Sequence, residues 1–73
     1  MDYILVTLEY GDLSEDIKVP SFISVEELIK VLEEIYDIEG TALHAEPKGI
    51  ILNKNKTLEE QGILHGARLT LSR

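Results

Sequence analysis

Cysteine and tryptophan are absent from this chain, and proline occurs only twice and phenylalanine once. Without cysteine there is no disulfide, no thiolate nucleophile and no thiolate metal site, and the composition fits a reducing cytosol. Basic residues are scarce, seven against fourteen acidic, and the formal charge of -7 repels phosphate backbones and anionic headgroups. Nucleic acid and a direct membrane-surface partner are therefore not expected. No apolar run approaches the roughly 18 residues that span a bilayer, and no basic segment precedes an apolar leader. The expectation is a cytoplasmic protein without membrane insertion. Glycines at 11, 40, 49, 62 and 66 are scattered and never form a phosphate-cradling run. His44 and His65 lie on different elements without a third ligand at metal spacing, so no metal is expected. Ser14, Ser21, Ser24 and Ser72 have no histidine and aspartate arranged as a relay. A chain this short also leaves little room for a pocket of the usual few hundred Å³. Neither an enzyme nor a cofactor is expected.

The 73 residues make one domain, residues 1–73, with the acid excess serving solubility or steering a basic protein partner. From Asp2 to Glu9, Ile4, Val6 and Leu8 alternate with Tyr3, Leu5, Thr7 and Glu9, the pattern of a strand with one buried face. Gly11-Asp12 supplies a turn, and Asp16 to Pro20 returns as a second strand. Ser24 followed by Glu27 is a capping box that opens a helix of about residues 25–37. Val25, Leu28, Ile29, Val31, Leu32, Ile35 and Tyr36 are predicted on its buried side. Glu26, Glu27, Lys30, Glu33, Glu34 and Asp37 form the solvated side, with Gly40 as the stop. Phe22 before the cap is a candidate hydrophobic staple. Thr41 to Glu46 reads as a strand, Pro47 to Gly49 interrupts it, and Ile50-Ile51-Leu52 is a short apolar run. Asn53 to Lys56 is a polar turn, Leu58 to Gln61 a single helical turn capped by Thr57, and Ala67 to Ser72 a closing strand. Periodicity supports an α+β roll, a mixed sheet of four to five strands on one main helix.

Ile4-x-Val6 then Gly11, Ile17-x-Val19, the Ser24 cap, and Thr57-Leu58, Ile63 and Leu69-x-Leu71 stand in an order and spacing that resembles the ubiquitin superfamily. That resemblance implies a β-grasp with the last strand parallel to the first. Tyr3-Ile4, Asp16-Ile17-Lys18-Val19-Pro20, Asn53-Lys54-Asn55-Lys56 and Gly62-Ile63-Leu64-His65-Gly66-Ala67-Arg68-Leu69 look most like the YukD/EsaB-type ubiquitin-like proteins of bacterial type VII secretion systems. It implies a non-catalytic, non-conjugated cytoplasmic accessory, recruited to the inner face of the membrane by a protein partner such as a membrane-embedded secretion ATPase or channel component. A homodimer stays open. The sequence ends at Arg73 without a diglycine, so conjugation chemistry is not expected. The alternatives are a sulfur carrier or modifier with a truncated tail, and a ubiquitin-like domain cut from a larger protein. The apolar recognition patch of ubiquitin is not carried over, because its isoleucine falls on His44 or Glu46 and its valine on Ser72. The first candidate interaction face is the outer side of the sheet, with Tyr3, Leu5, Thr7, His44, Arg68 and Thr70. The second is the acidic helix face.

Overall fold

A computed structural model describes residues 2–47 and 49–72; Met1, Arg73 and Lys48, within the predicted Pro47 to Gly49 interruption, lie outside them. Alternation along the first strand is realised in full. Strand β1 (Tyr3–Tyr10) buries Ile4, Val6 and Leu8 and turns at Gly11, whose φ of 55° an L side chain would resist. Antiparallel β2 (Leu13–Pro20) then starts three residues before the predicted Asp16, because Leu13, Ser14 and Glu15 complete the register with Tyr10, Glu9 and Leu8.

Helix α1 (Val25–Tyr36) begins where the cap predicts, with Ser24 Oγ accepting the Glu27 N–H at 3.2 Å. Its free amides find a second partner that polarity does not reveal. The carbonyls of Lys56 and Lys54 accept the Val25 and Glu26 N–H groups at 2.9 and 3.1 Å. The polar Asn53 to Lys56 turn thus caps the helix with its backbone. Gln61 holds that turn in place: its Oε1 accepts the Asn53 N–H at 2.7 Å and its Nε2 donates to the Asn53 carbonyl at 3.0 Å.

The helix ends at Asp37, not Gly40. Asp37 adopts the left-handed conformation at φ 53°, ψ 49°, and its N–H and that of Ile38 both bond the Glu33 carbonyl. An aspartate in this geometry is strained, and its charge sits at the negative end of the helix dipole. Asp37→Gly is expected to raise stability by about 0.5–1 kcal/mol, read as an increase in urea midpoint at unchanged m-value.

Strands β3 (Ala42–Glu46), β4 (Ile50–Ile51) and β5 (Arg68–Ser72) complete a five-stranded sheet of order β2-β1-β5-β3-β4. β5 runs parallel to β1 and antiparallel to β3, so the chain's first and last strands are neighbours. This is the mixed sheet on one helix of a ubiquitin-like β-grasp. Val25, Leu28, Ile29 and Leu32 of α1 close over Val6, Leu8, Leu43, Leu69 and Leu71, with Leu52 and Leu58 filling the edge.

Several expected contacts are not made. Val31 and Ile35 were placed on the buried side of α1 and are exposed, Ile35 by 66%. They fall on the shoulder of the apolar stripe, beyond the arc that the sheet covers. Glu33, expected in solvent, is half-buried and its Oε2 accepts the Gly40 N–H at 3.2 Å. Ile50 and Ile51 are exposed, since β4 has only β3 beside it; of that run only Leu52 is buried. Phe22 does not fold back on the helix, whereas Ile23, directly before the cap, packs on the core. Residues 58–62 form a turn rather than a helical turn, although Thr57 and Glu60 still cap it reciprocally at 3.0 and 2.9 Å. The closing strand starts at Arg68, one residue after the predicted Ala67.

Candidate functional site

Odd-numbered residues of β1 and even-numbered residues of β3 and β5 face away from α1. All six residues of the predicted interaction face therefore lie on the outer side of the sheet, in three groups. Thr7 stands beside Arg68 on the two central strands. Thr70 stands beside His44 one step along. Tyr3 and Leu5 lie toward the start of β1, opposite Pro20 and Lys18 of β2.

Hydrogen bonds stitch much of this face together. Thr7 Oγ1 donates to Asp16 Oδ1 at 2.7 Å, and the Arg68 guanidinium reaches Glu9 Oε2 at 3.0 Å. His44 Nε2 pairs with Ser72 Oγ at 2.9 Å. Arg68 is 57% exposed at its side chain, so its ion pair with Glu9 contributes little to stability and leaves the guanidinium accessible. The face is polar at its centre and apolar at one end.

That apolar end contains residues the alternation could not find. Tyr3 and Phe22 meet edge to face, with ring centroids 5.7 Å apart and planes at 84°. The segment from Leu64 to Gly66 lies along Leu5: the Leu5 N–H donates to His65 Nδ1 at 3.1 Å, and the Gly66 N–H donates to the Leu5 carbonyl at 2.7 Å. Behind it opens a groove of about 340 Å³ lined by Ile4, Ser21, Glu59, Ile63, Leu64 and His65. The chain was expected to leave little room for a pocket of a few hundred Å³, and this depression is of that size. Its cause is the loop itself, which bridges β1 at its ends but leaves Leu64 74% exposed.

A polar, hydrogen-bonded surface with an aromatic pair and an exposed leucine at one end can bind a protein. Among the described residues no three histidine, aspartate or glutamate side chains converge as metal ligands. Among the same residues no helix is long and apolar enough to cross a membrane. One titration is displaced. Burial, and then the hydrogen bond and charge of Glu15, raise the Tyr36 phenol above its ordinary range, tying the last turn of α1 to β2.

A family model described as "WXG100 protein secretion system (Wss), protein YukD" matches residues 3–71. No curated protein matches the chain. Among solved structures, the N-terminal ubiquitin-like domain of the 4931431F19Rik protein superposes with a TM-score of 0.82 at 18% identity, covering 96% of this chain and 73% of that one. The EccD5 ubiquitin-like domain of Mycobacterium xenopi gives 0.77 at 18% identity, over 94% and 91% of the two chains. An Arabidopsis thaliana protein gives 0.80 at 26% identity, over 96% and 82%.

Proposed function

The chain belongs to the YukD family of the WXG100 protein secretion system, and on that premise we propose that it is a non-catalytic, non-conjugated docking module of a type VII secretion machine. The observation that carries the reading is the family match, which extends over residues 3–71 and so spans the helix and all the strands except Ser72 at the end of β5. Occurrence of the same fold as the ubiquitin-like domain of EccD5 supports it. The chain then acts in the cytoplasm and is held at the inner face of the membrane by a secretion ATPase or channel component.

The outer sheet face is the docking surface in this reading. Tyr3 and Leu5 supply apolar area, Arg68 supplies a charge-assisted donor, and the Tyr3–Phe22 pair gives the apolar end a stiff edge. Crosslinked capture from the membrane and soluble fractions of the native host, with the bait's intact mass read in the same run, tests it. Recovery of a membrane-associated secretion component with the bait at unmodified mass is the expected result. Leu5→Asp and Arg68→Glu, both at exposed positions, should each weaken that recovery by about tenfold while the fold remains intact. Full recovery by both folded variants would remove the outer face from the proposal. A bait joined through its C-terminus to other proteins, or bound to an adenylating enzyme, would overturn the docking reading in favour of a modifier or sulfur carrier.

A further inference from the structure

Strand β2 is an edge strand eight residues long, paired among the described residues only with β1. The Ser21 N–H donates to the Asp2 carbonyl at 2.9 Å, and antiparallel pairing alternates from there. Val19, Ile17, Glu15 and Leu13 therefore bond to β1. The backbone N–H and C=O groups of Lys18, Asp16 and Ser14 point away from the sheet.

An unpartnered apolar shoulder lies beside that edge. Glu33 binds Gly40 on one side of α1, where Lys30 and Glu26 border Thr41 and Lys54, so this flank faces β3. Val31 and Ile35 lie on the opposite flank by helical rotation, and because β2 and β3 stand on opposite sides of β1 and β5 in the sheet, that flank faces β2. Ile17 of β2 is only half-buried, while Val31 is 39% and Ile35 66% exposed. Open strand hydrogen bonds and an apolar shoulder are the two components of strand addition, in which backbone bonds supply affinity and alternate side chains supply selectivity.

Charge selects the occupant. Glu15, Asp16, Glu27 and Glu34 are all exposed along this edge and helix flank, with Lys18 the one cation among the residues of β2. A second copy, itself at a formal charge of -7, would oppose acid to acid. We propose that the free edge of β2 and the Val31/Ile35 shoulder of α1 take an extended partner segment of alternating apolar residues flanked by lysine or arginine, added as a sixth strand. This surface is separate from the outer sheet face, and the inference stands without it.

The probe is a synthetic peptide of alternating valine and threonine with lysines at both ends, titrated into the isotope-labelled full chain and followed by NMR. Shifts should centre on the amides of Ser14, Asp16 and Lys18 and on the methyls of Val31 and Ile35. A glutamate-flanked counterpart should bind about tenfold more weakly. Lys18→Pro removes an outward N–H and also a repelling cation. Binding should nonetheless fall by about tenfold, which a purely electrostatic contact would not produce. Ile35→Glu, at an exposed helical position, is the second variant and should weaken binding similarly. No binding at millimolar peptide, shifts confined to Leu5 and Thr70 on the outer face, or concentration-dependent self-pairing through β2 would each overturn the proposal.

Discussion

Leu8→Ala is expected to lower the stability of the protein by about 2–5 kcal/mol. Leu8 is fully buried in β1, between Glu15 of β2 and Leu69 of β5 in register. Truncating a leucine in such a site removes its transfer free energy and leaves a cavity, together about 2–5 kcal/mol. A domain of this size is stabilised by roughly 0.05–0.15 kcal/mol per residue, so the loss consumes a large share of what exists. Relaxation is limited, because the neighbours come from two strands and a helix that are each fixed elsewhere. Leu5→Ala is the control on the same strand: Leu5 faces outward and is 38% exposed, so the change should stay within about 1 kcal/mol. Urea denaturation of both variants measures the contrast. Equal losses would show that β1 does not have one buried and one exposed face.

The second large effect is expected at Gly40, through volume and not backbone freedom. A Cβ placed there would lie 2.5, 2.6 and 2.8 Å from Cδ1, Cγ and Cδ2 of Leu71. Leu71 is only 3% exposed and is enclosed by the core, so its side chain has no free direction in which to swing. Gly40→Val should therefore destabilise by about 1–3 kcal/mol, with Gly40→Ala at the lower end. A Leu71→Ala change that is costly alone should be partly offset when combined with Gly40→Ala, because the new methyl enters space that the leucine vacates. Non-additivity in that double-mutant cycle, measured by chemical denaturation, identifies the contact as the cause. Strict additivity would place the cost of Gly40→Ala elsewhere.

Gly40 also shows how a correct sequence signal can be attached to the wrong physics. A glycine after an amphipathic run ordinarily reads as a helix stop, and the reading misses because Asp37 takes the left-handed position first. What Gly40 must avoid is Leu71, a neighbour 31 positions later, and no local pattern records that. The helix stripe has a similar limit. Valine and isoleucine at 31 and 35 satisfy the apolar period, but burial depends on how far the sheet extends beneath that shoulder, and β2 is its last strand. In β1 the alternation was sufficient, since period two assigns each side chain to a face without knowledge of the partner. The same parity placed Tyr3, Leu5, Thr7, His44, Arg68 and Thr70 on one side of the sheet. It could not bring in Phe22, Leu64 or His65, whose positions depend on loop closure over long stretches of chain. The Asn53 to Lys56 turn was legible as a turn and illegible as a helix cap, because its contribution comes from carbonyls that every residue possesses.

The adjacency of β1 and β5 bears on how the chain comes to fold during synthesis. Until Arg68 to Ser72 have left the ribosome, the β1–β2 hairpin and the β3–β4 pair have no strand between them, and the sheet consists of two separate fragments. The core leucines 69 and 71 arrive with that same strand. Vectorial emergence therefore cannot stabilise this domain piece by piece. Assembly of the sheet is deferred until β5 has emerged, and its rate is set by the search that joins β1 to β5.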